Sequence, residues 1–276
     1  MSKVALRTTY CRTALNRTGI PGYCYCLNPY FGCSHSCRYC YADTVLHFSA
    51  HAEKWGEFVA AKVNFPEVLR SELRRRRRPL GKIILGTVTD AYQPAEAEFG
   101  LTRASLEVFA ERQPDIEIDL LTKSDLVVRD VDLLRKLKNC SVGFTVTTSD
   151  DTAACVLEPG AALPSARLRA AGRLVAQGIN VWAFIAPILP GVSDAPGALE
   201  DLIATLKDTG IKEVFLDPLN PYPVSIERLR AAYQKRLPWA LKYLEQYLSD
   251  PHRYLQILRE RLRSLSRKYS YDLKLG

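Results

Sequence analysis

The chain has 276 residues, of which 47% are hydrophobic and 25% charged, with a formal net charge of +8 at pH 7. These proportions belong to a folded globular protein and exclude disordered, fibrous and collagen-like classes. No apolar run is long enough to span a bilayer, and the segment from Met1 to Arg7 lacks the apolar core of a signal peptide, so a cytoplasmic protein with no membrane association is expected. The positive balance steers anionic partners toward the surface.

Cys11, Cys24 and Cys26 come first along the chain. Their spacing permits a second metal centre, but reduced buried thiols are the ordinary state in a cytosolic setting. An extended strand is expected over Cys24 to Leu27. It leads into the run Asn28-Pro-Tyr-Phe-Gly-Cys-Ser-His-Ser-Cys-Arg-Tyr-Cys-Tyr-Ala42, which carries Cys33, Cys37 and Cys40. His35 inside that run reads as a solvent-facing loop residue. His47 and His51 are four apart, but no complete Cys/His ligand set surrounds them, and they receive no role. Arg74 through Arg78 run into Pro79 at the end of a helix, where cations complement the helix dipole; a solvated face is expected there ahead of a phosphate-binding patch.

Beyond the cysteine run, short β-branched runs alternate with segments of helical period, the pattern of βα units on a parallel sheet. Strands are predicted over Lys82 to Val88, Ile116 to Thr122, Ser141 to Thr147, Asn180 to Ile185 and Glu213 to Leu216. Asp130 is a candidate cap for a helix carrying Leu133, Leu134 and Leu137. Ser165 is a candidate cap for one carrying Leu168, Ala171 and Val175, closed by Gly178. A further helix carries Leu199, Leu202, Ile203 and Leu206, between Pro196 and Gly210. Pro218, Pro221 and Pro223 mark a loop, and from about Ser225 the chain reads as helices, with Leu255, Leu258, Leu262 and Leu265 at helical spacing. Arg253, Arg259, Arg261, Arg263, Arg267 and Lys268 make that end basic. With the strand at Cys24, six strands are too few for a closed eight-stranded barrel but enough for an open one. The predicted fold is therefore α/β, a partial (β/α)6 barrel over residues 1–224 that includes an N-terminal extension, with a C-terminal helical extension over 225–276 packed on it.

The chemistry points to the cysteine run. A structural zinc site wants four protein ligands, whereas three thiolates on a tight loop leave one position vacant. An iron-sulfur cube held by three cysteines has one iron left to bind something else. Thiolates suit both, so ligand type does not choose between them. A zinc knuckle with Cys26 as fourth ligand is the alternative. Cys-x3-Cys-x2-Cys with an aromatic residue before the last cysteine resembles the motif of the radical S-adenosylmethionine (radical SAM) enzymes. That resemblance implies a 4Fe-4S cluster whose open iron chelates SAM, and reductive cleavage of SAM to a 5'-deoxyadenosyl radical.

In a parallel barrel the functional groups stand where strands end. The predicted strands run out into Gly86-Thr-Val-Thr-Asp-Ala-Tyr-Gln-Pro94, Leu121-Thr-Lys-Ser124, Phe144-Thr-Val-Thr-Thr-Ser149 and Ala186-Pro-Ile-Leu-Pro-Gly191. The polar groups of SAM call for a cation, acceptors and hydroxyls, which Lys123, Asp90, Thr89, Thr145 and Thr147 supply. From Asn28 to about Leu219 the chain is similar to the radical SAM branch related to spore photoproduct lyase. It shares Asn-Pro-Tyr-x-Gly-Cys, Cys-x-Tyr-Cys-Tyr, Thr-Asp-x-Tyr-Gln-Pro, Thr-Lys-Ser with Arg129-Asp130, Glu158-Pro159 with Arg167, and Ala186-Pro-Ile. The resemblance implies that Tyr39 and Tyr41 flank the cluster and contact SAM. It also implies that Thr89, Lys123 and Thr145 hold the polar groups of SAM, and that Ala186 lines the adenine pocket through its backbone.

One departure bears on the reaction. Spore photoproduct lyase has a cysteine hydrogen donor three residues before the aspartate of the second-strand segment, and this chain has Thr87 there. A hydroxyl is a poor hydrogen-atom donor, so repair of a thymine dimer by that route is not expected. Cys140 and Cys155 read as buried thiols rather than substitutes. Asp90 and Tyr92 are candidates for lining the substrate pocket. The expected activity is lyase-like or modifying radical chemistry on a nucleobase or nucleic acid, with a peptide or small metabolite as the competing substrate class. The electron is expected from an external reductase or a flavodoxin- or ferredoxin-like donor. A zinc-containing nucleic-acid-binding module without catalysis is the alternative of another class.

Overall fold

The structure, a computed structural model, describes residues 4–46, 55–273 and 275–276. His47 and His51 lie outside the described residues. The chain opens with β1 (Ala5–Thr9), β2 (Asn16–Arg17) and β3 (Tyr25–Leu27); β4 (Tyr30–Phe31) starts the cysteine loop, which ends in the short helix α1 (Ala42–Leu46). Next come β5 (Phe58–Lys62), α2 (Phe65–Arg75), β6 (Ile83–Leu85), α3 (Ala95–Phe99), α4 (Leu101–Arg112) and β7 (Glu117–Thr122). A tighter 3-10 segment (Asp125–Asp130) runs into α5 (Val131–Leu134), and β8 (Asn139–Thr145), α6 (Asp151–Leu157), α7 (Pro164–Ala176) and β9 (Asn180–Ile188) follow. The last elements are α8 (Ala198–Asp208), β10 (Glu213–Pro218), α9 (Pro223–Arg236), α10 (Pro238–Ser249) and α11 (Pro251–Tyr269).

The six strands expected from sequence are β3 and β6 to β10, with ends moved by at most three residues. Three of the four additional strands carried little sequence signal, β2 and β4 being two residues long and β1 almost wholly exposed, whereas β5, five residues long and largely buried, was missed. Proline starts α9, α10 and α11, where its missing N–H costs nothing. Two expected caps are corrected. Asp130 makes no capping bond to α5; its carboxylate accepts from Arg129, Arg103 and Tyr92 instead. Ser165 falls inside α7, and its hydroxyl donates to Asp151 at 2.6 Å, tying α7 to α6. At the end of α2, Arg74, Arg75, Arg77 and Arg78 are solvated as expected, whereas Arg76 lies over the Tyr25 ring, 4.7 Å from its centroid.

By its contacts the chain divides into two compact units. The first comprises the described parts of Met1–Ser36, His51–Gly143 and Arg173–Asn180, and the second those of Cys37–Ala50, Phe144–Gly172 and Val181–Gly276. In the first unit β3, β6 and β7 run parallel, Tyr25 opposite Ile83 and Ile83 opposite Ile118, with β2 antiparallel to β3. A small second sheet joins β5 to β1 in parallel and to β4 in antiparallel. All three residues of β6 are buried, as a strand covered on both faces requires. Leu27, Leu106, Phe109 and Leu120 of the same unit are fully enclosed.

In the second unit β9 and β10 are parallel. Leu189, Val192 and Leu219 share one core with Leu229, Tyr233, Leu237, Ala240 and Leu244 of the C-terminal helices. Each of these leucines contributes about 1.5–3 kcal/mol on leaving water. No described helix is long and apolar enough to cross a membrane.

Candidate functional site

The first unit secures the opening of the cysteine loop. Gly32 has φ +78°, and a Cβ there would stand 2.5 Å from the Phe58 carbonyl oxygen, so only glycine fits immediately before Cys33. The Gly32 carbonyl accepts from Thr89 Oγ1 at 2.6 Å and Gln93 Nε2 at 3.2 Å, while Gln93 Oε1 accepts from Ser34 N at 2.9 Å. Asn28 Nδ2 donates to Thr87 Oγ1 at 3.3 Å, and its Oδ1 accepts from Val88 N at 3.4 Å. The two motifs Asn-Pro-Tyr-x-Gly-Cys and Thr-Asp-x-Tyr-Gln-Pro are therefore two sides of one bonded strap around Cys33.

Asp90 closes the strap onto the end of β7. Its carboxylate accepts from Thr122 Oγ1 and Lys123 N, both at 2.7 Å, and from Tyr92 N at 2.8 Å; His35 Nδ1 stands 3.4 Å away. Burial pushes this carboxyl up, but the His35 ring and the donated hydrogen bonds outweigh it and bring it down to about 2. His35 is thus corrected: it is buried against Asp90, not solvent-facing. Tyr92 is corrected as well, since it is fully enclosed and its hydroxyl donates to Asp130, which leaves it no open pocket to line.

Two buried carboxylates, Glu96 next to the strap motif in sequence and Asp130, are met by arginine. Arg129 pairs with Glu96 and Asp130 at 2.8 Å each, and Glu96 also accepts from Tyr30 and from the first amides of α4. Unpaired, such carboxylates would be costly, and the arginine explains why Arg129-Asp130 accompanies the strap motif. Lys123 leaves the end of β7 half-buried.

The second unit secures the other end of the loop. Arg38 N donates to Leu157 O at 2.8 Å, and Cys40 N to Cys37 O at 3.2 Å. Tyr39 is buried and its hydroxyl donates to Glu158, which also accepts from Thr147 Oγ1 at 3.0 Å and pairs with Arg167. Arg167 is 1% exposed and donates further to Thr145 O at 2.9 Å and Ala162 O at 2.7 Å, so this buried charge is fully met. Burial and the Glu158 carboxylate hold the Tyr39 hydroxyl well above its usual range. Arg228, which sequence reasoning did not single out, donates to Cys40 O at 2.7 Å and pairs with Asp43 at 3.0 Å. Tyr41 is exposed and stacks on Tyr222 at 6.2 Å. Opposite the register slip between Leu216 and Pro218, Ala186 and Pro187 form a bulge in β9, which releases main-chain groups from the ladder.

The expected site residues thus divide into two tasks. Thr89 and Asp90 in the first unit, and Thr147 and the Tyr39 hydroxyl in the second, commit their side chains to the protein, each pair bracing its own unit's part of the cysteine loop. Glu158, Arg167, Gln93 and Arg228 belong with them; the first three were visible in sequence only as motif matches. Cys33 and Cys37 are buried and Cys40 is half-buried. Cys140 is a buried thiol, pushed up to about 12 by burial, while Cys155 is exposed, against expectation. Among the described residues, Cys11, Cys24 and Cys26 included, no three Cys, His, Asp or Glu side chains form a group suited to a single metal ion. Thiolates that each serve a different iron of a cube need no such common point.

A family model of the radical SAM superfamily matches residues 27–206. An uncharacterized protein of Methanocaldococcus jannaschii is 36% identical over 193 residues, which cover 70% of this chain and 71% of that relative. The structure of spore photoproduct lyase complexed with dinucleoside spore photoproduct is similar with a TM-score of 0.63 at 16% identity, covering 84% of this chain and 67% of that one. Streptococcus suis SuiB bound to S-adenosylmethionine gives a TM-score of 0.53 at 11% identity, covering 100% of this chain and 51% of that one. The structural likenesses show a common fold, the α/β partial barrel of this type.

Proposed function

The chain belongs to the radical SAM superfamily, and from that membership we propose that it is a radical enzyme acting on a nucleobase or nucleic acid. The family's 4Fe-4S cluster and S-adenosylmethionine are its cofactors, and this membership replaces the zinc-module alternative. Together they supply a one-electron cleavage of the sulfonium and a 5'-deoxyadenosyl radical that takes a hydrogen atom from the substrate. In this reading Cys33, Cys37 and Cys40 ligate the cluster. Lys123 meets the carboxylate of SAM, Thr145 its polar groups and the Ala186 main chain its adenine, with Tyr41 beside the loop.

The observation that carries the reading is a three-thiol loop locked at both ends by dedicated side chains. Thr89 and Gln93 hold it before Cys33, and Glu158 and Arg228 hold it around Cys37 and Cys40. Soft thiolates on a backbone tied down by these hydrogen bonds suit an iron-sulfur cube. The substrate class draws support from the +8 net charge and from the dinucleoside bound by the structural neighbour. Thr87, whose hydroxyl accepts from Asn28, is no thiol donor, so the reaction differs from dimer repair by that route. The electron comes from a reductase or a small flavodoxin- or ferredoxin-like donor, in a cytosolic setting that keeps the thiols reduced.

Reduced, cluster-loaded protein with deuterium-labelled SAM is expected to form 5'-deoxyadenosine slowly, and faster when an oligonucleotide or nucleoside substrate takes part. Acceleration only by a peptide or metabolite overturns the substrate class; no 5'-deoxyadenosine under any condition overturns the enzyme. Lys123→Ala is expected to weaken SAM binding by about tenfold, the scale of one charge-assisted hydrogen bond. Its iron content is expected to stay unchanged. Unaltered SAM affinity in an equilibrium titration removes that role.

A further inference from the structure

The basic run of α11 is sorted by the fold into two kinds of cation. Arg261 donates to the carbonyls of Asp194 at 2.6 Å and Ala195 at 3.1 Å, and Lys268 pairs with Glu200, so these two fasten the helix. Leu258, Leu262 and Leu265 are buried. Arg259, Arg263 and Arg267 remain exposed, and among the described residues none of the three makes an ion pair or a side-chain hydrogen bond. They recur every four residues, so they ascend one face at about 6 Å per step. They border a groove floored by Leu262, Ser266, Leu273 and Leu275, with Asp272 at its rim.

We infer that this face binds the phosphodiester backbone of a nucleic-acid strand; the inference rests on the nucleic-acid reading of the substrate given above. Like charges four apart on a helix repel and destabilise it, and a polyanion laid along them removes that cost. Three guanidiniums spanning about 12 Å of helix axis meet a run of three or four phosphates at about 3.4 Å of axial rise each. Their planar forks suit phosphate oxygens, and the Leu and Ser floor accommodates sugar edges. A lipid surface fits less well, since Leu258, Leu262 and Leu265 of α11 are turned inward and Ile257 is the one large apolar side chain of that helix left exposed, too little to enter a bilayer.

The test is binding of a short fluorescent single-stranded DNA of mixed sequence to cluster-loaded full-length protein across a salt series. The triple variant Arg259→Gln, Arg263→Gln, Arg267→Gln is expected to bind at least about tenfold more weakly at low salt. Its log-log salt slope is expected to be shallower by about 2, three phosphate contacts at about 0.7 each. Arg263→Gln alone is expected to lower the slope by about 0.7, which keeps the test open if the triple variant folds poorly. Cleavage of SAM without substrate is expected to be unaffected in both. Wild-type binding and slope in the variants overturn this surface and leave the nucleic-acid reading standing. No binding by the wild type overturns this surface together with the nucleic-acid form of the substrate reading, and leaves a free nucleobase or nucleoside to be decided by the SAM-cleavage assay. Preference for phosphatidylserine vesicles over the oligonucleotide assigns the face to lipid and overturns the inference.

Discussion

Cys37→Ala protein, loaded anaerobically with ferrous iron and sulfide, is expected to lose most of the about four irons and four sulfides that the wild type holds, together with the brown absorbance. It is expected to form no 5'-deoxyadenosine. The reason is stoichiometric: a cube with three protein ligands has none in reserve. Cys37 is also buried, beside Tyr39 and Arg167, so the loss must be separated from a packing effect. Cys140→Ala supplies that comparison, because Cys140 is equally enclosed in β8 yet outside the loop. It is expected to retain cluster and SAM cleavage. Equal iron in the two variants would remove Cys37 from the ligand set.

The second large effect is expected at Glu158, which lies outside the cysteine loop. Its carboxylate receives Tyr39, Thr147 and Arg167 with its side chain wholly enclosed. Glu158→Ala leaves a buried guanidinium with only carbonyl acceptors, and breaking a buried pair from one side costs about 3–5 kcal/mol. Set against a total stability of about 5–15 kcal/mol, that is a large share. The denaturant midpoint is expected to fall steeply, and cluster content with it, since Tyr39 loses the acceptor that pins the loop between Cys37 and Cys40. Glu158→Gln, whose amide oxygen still accepts from Tyr39 and Thr147, is expected to fall between alanine and wild type. A midpoint within about 1 kcal/mol of wild type for Glu158→Ala would show that the loop is held elsewhere.

Much of this was legible in the chain itself. The strands β3 and β6 to β10 were found because buried parallel strands are continuous apolar runs bounded by turn signals, and β6 and β9 are of that kind. The cysteine spacing, the strand-end threonines and the Thr-Asp-x-Tyr-Gln-Pro segment were equally visible. Their division of labour was not. Thr89, Asp90 and Thr147 have the functional groups that bind a polar cofactor, and the same groups can brace a backbone. A donor is used up by whichever acceptor lies within 3 Å, and that acceptor was the Gly32 carbonyl for Thr89 and the Glu158 carboxylate for Thr147. His35 was misplaced for the same reason, since Asp90 comes 55 positions later in the chain.

What the amino-acid order determined alone is local: the three-thiol loop, the apolar runs and the excess of arginine. Each depends on neighbours within a few residues, where covalent geometry sets the distances. Only the tertiary structure decided which side chains hold the loop and which cations of α11 have no partner among the described residues, because many of those outcomes depend on residues far away in sequence, such as Arg228 on the Cys40 carbonyl. Hydrogen bonds and ion pairs act only at contact distance, and folding alone sets which distant residues reach it.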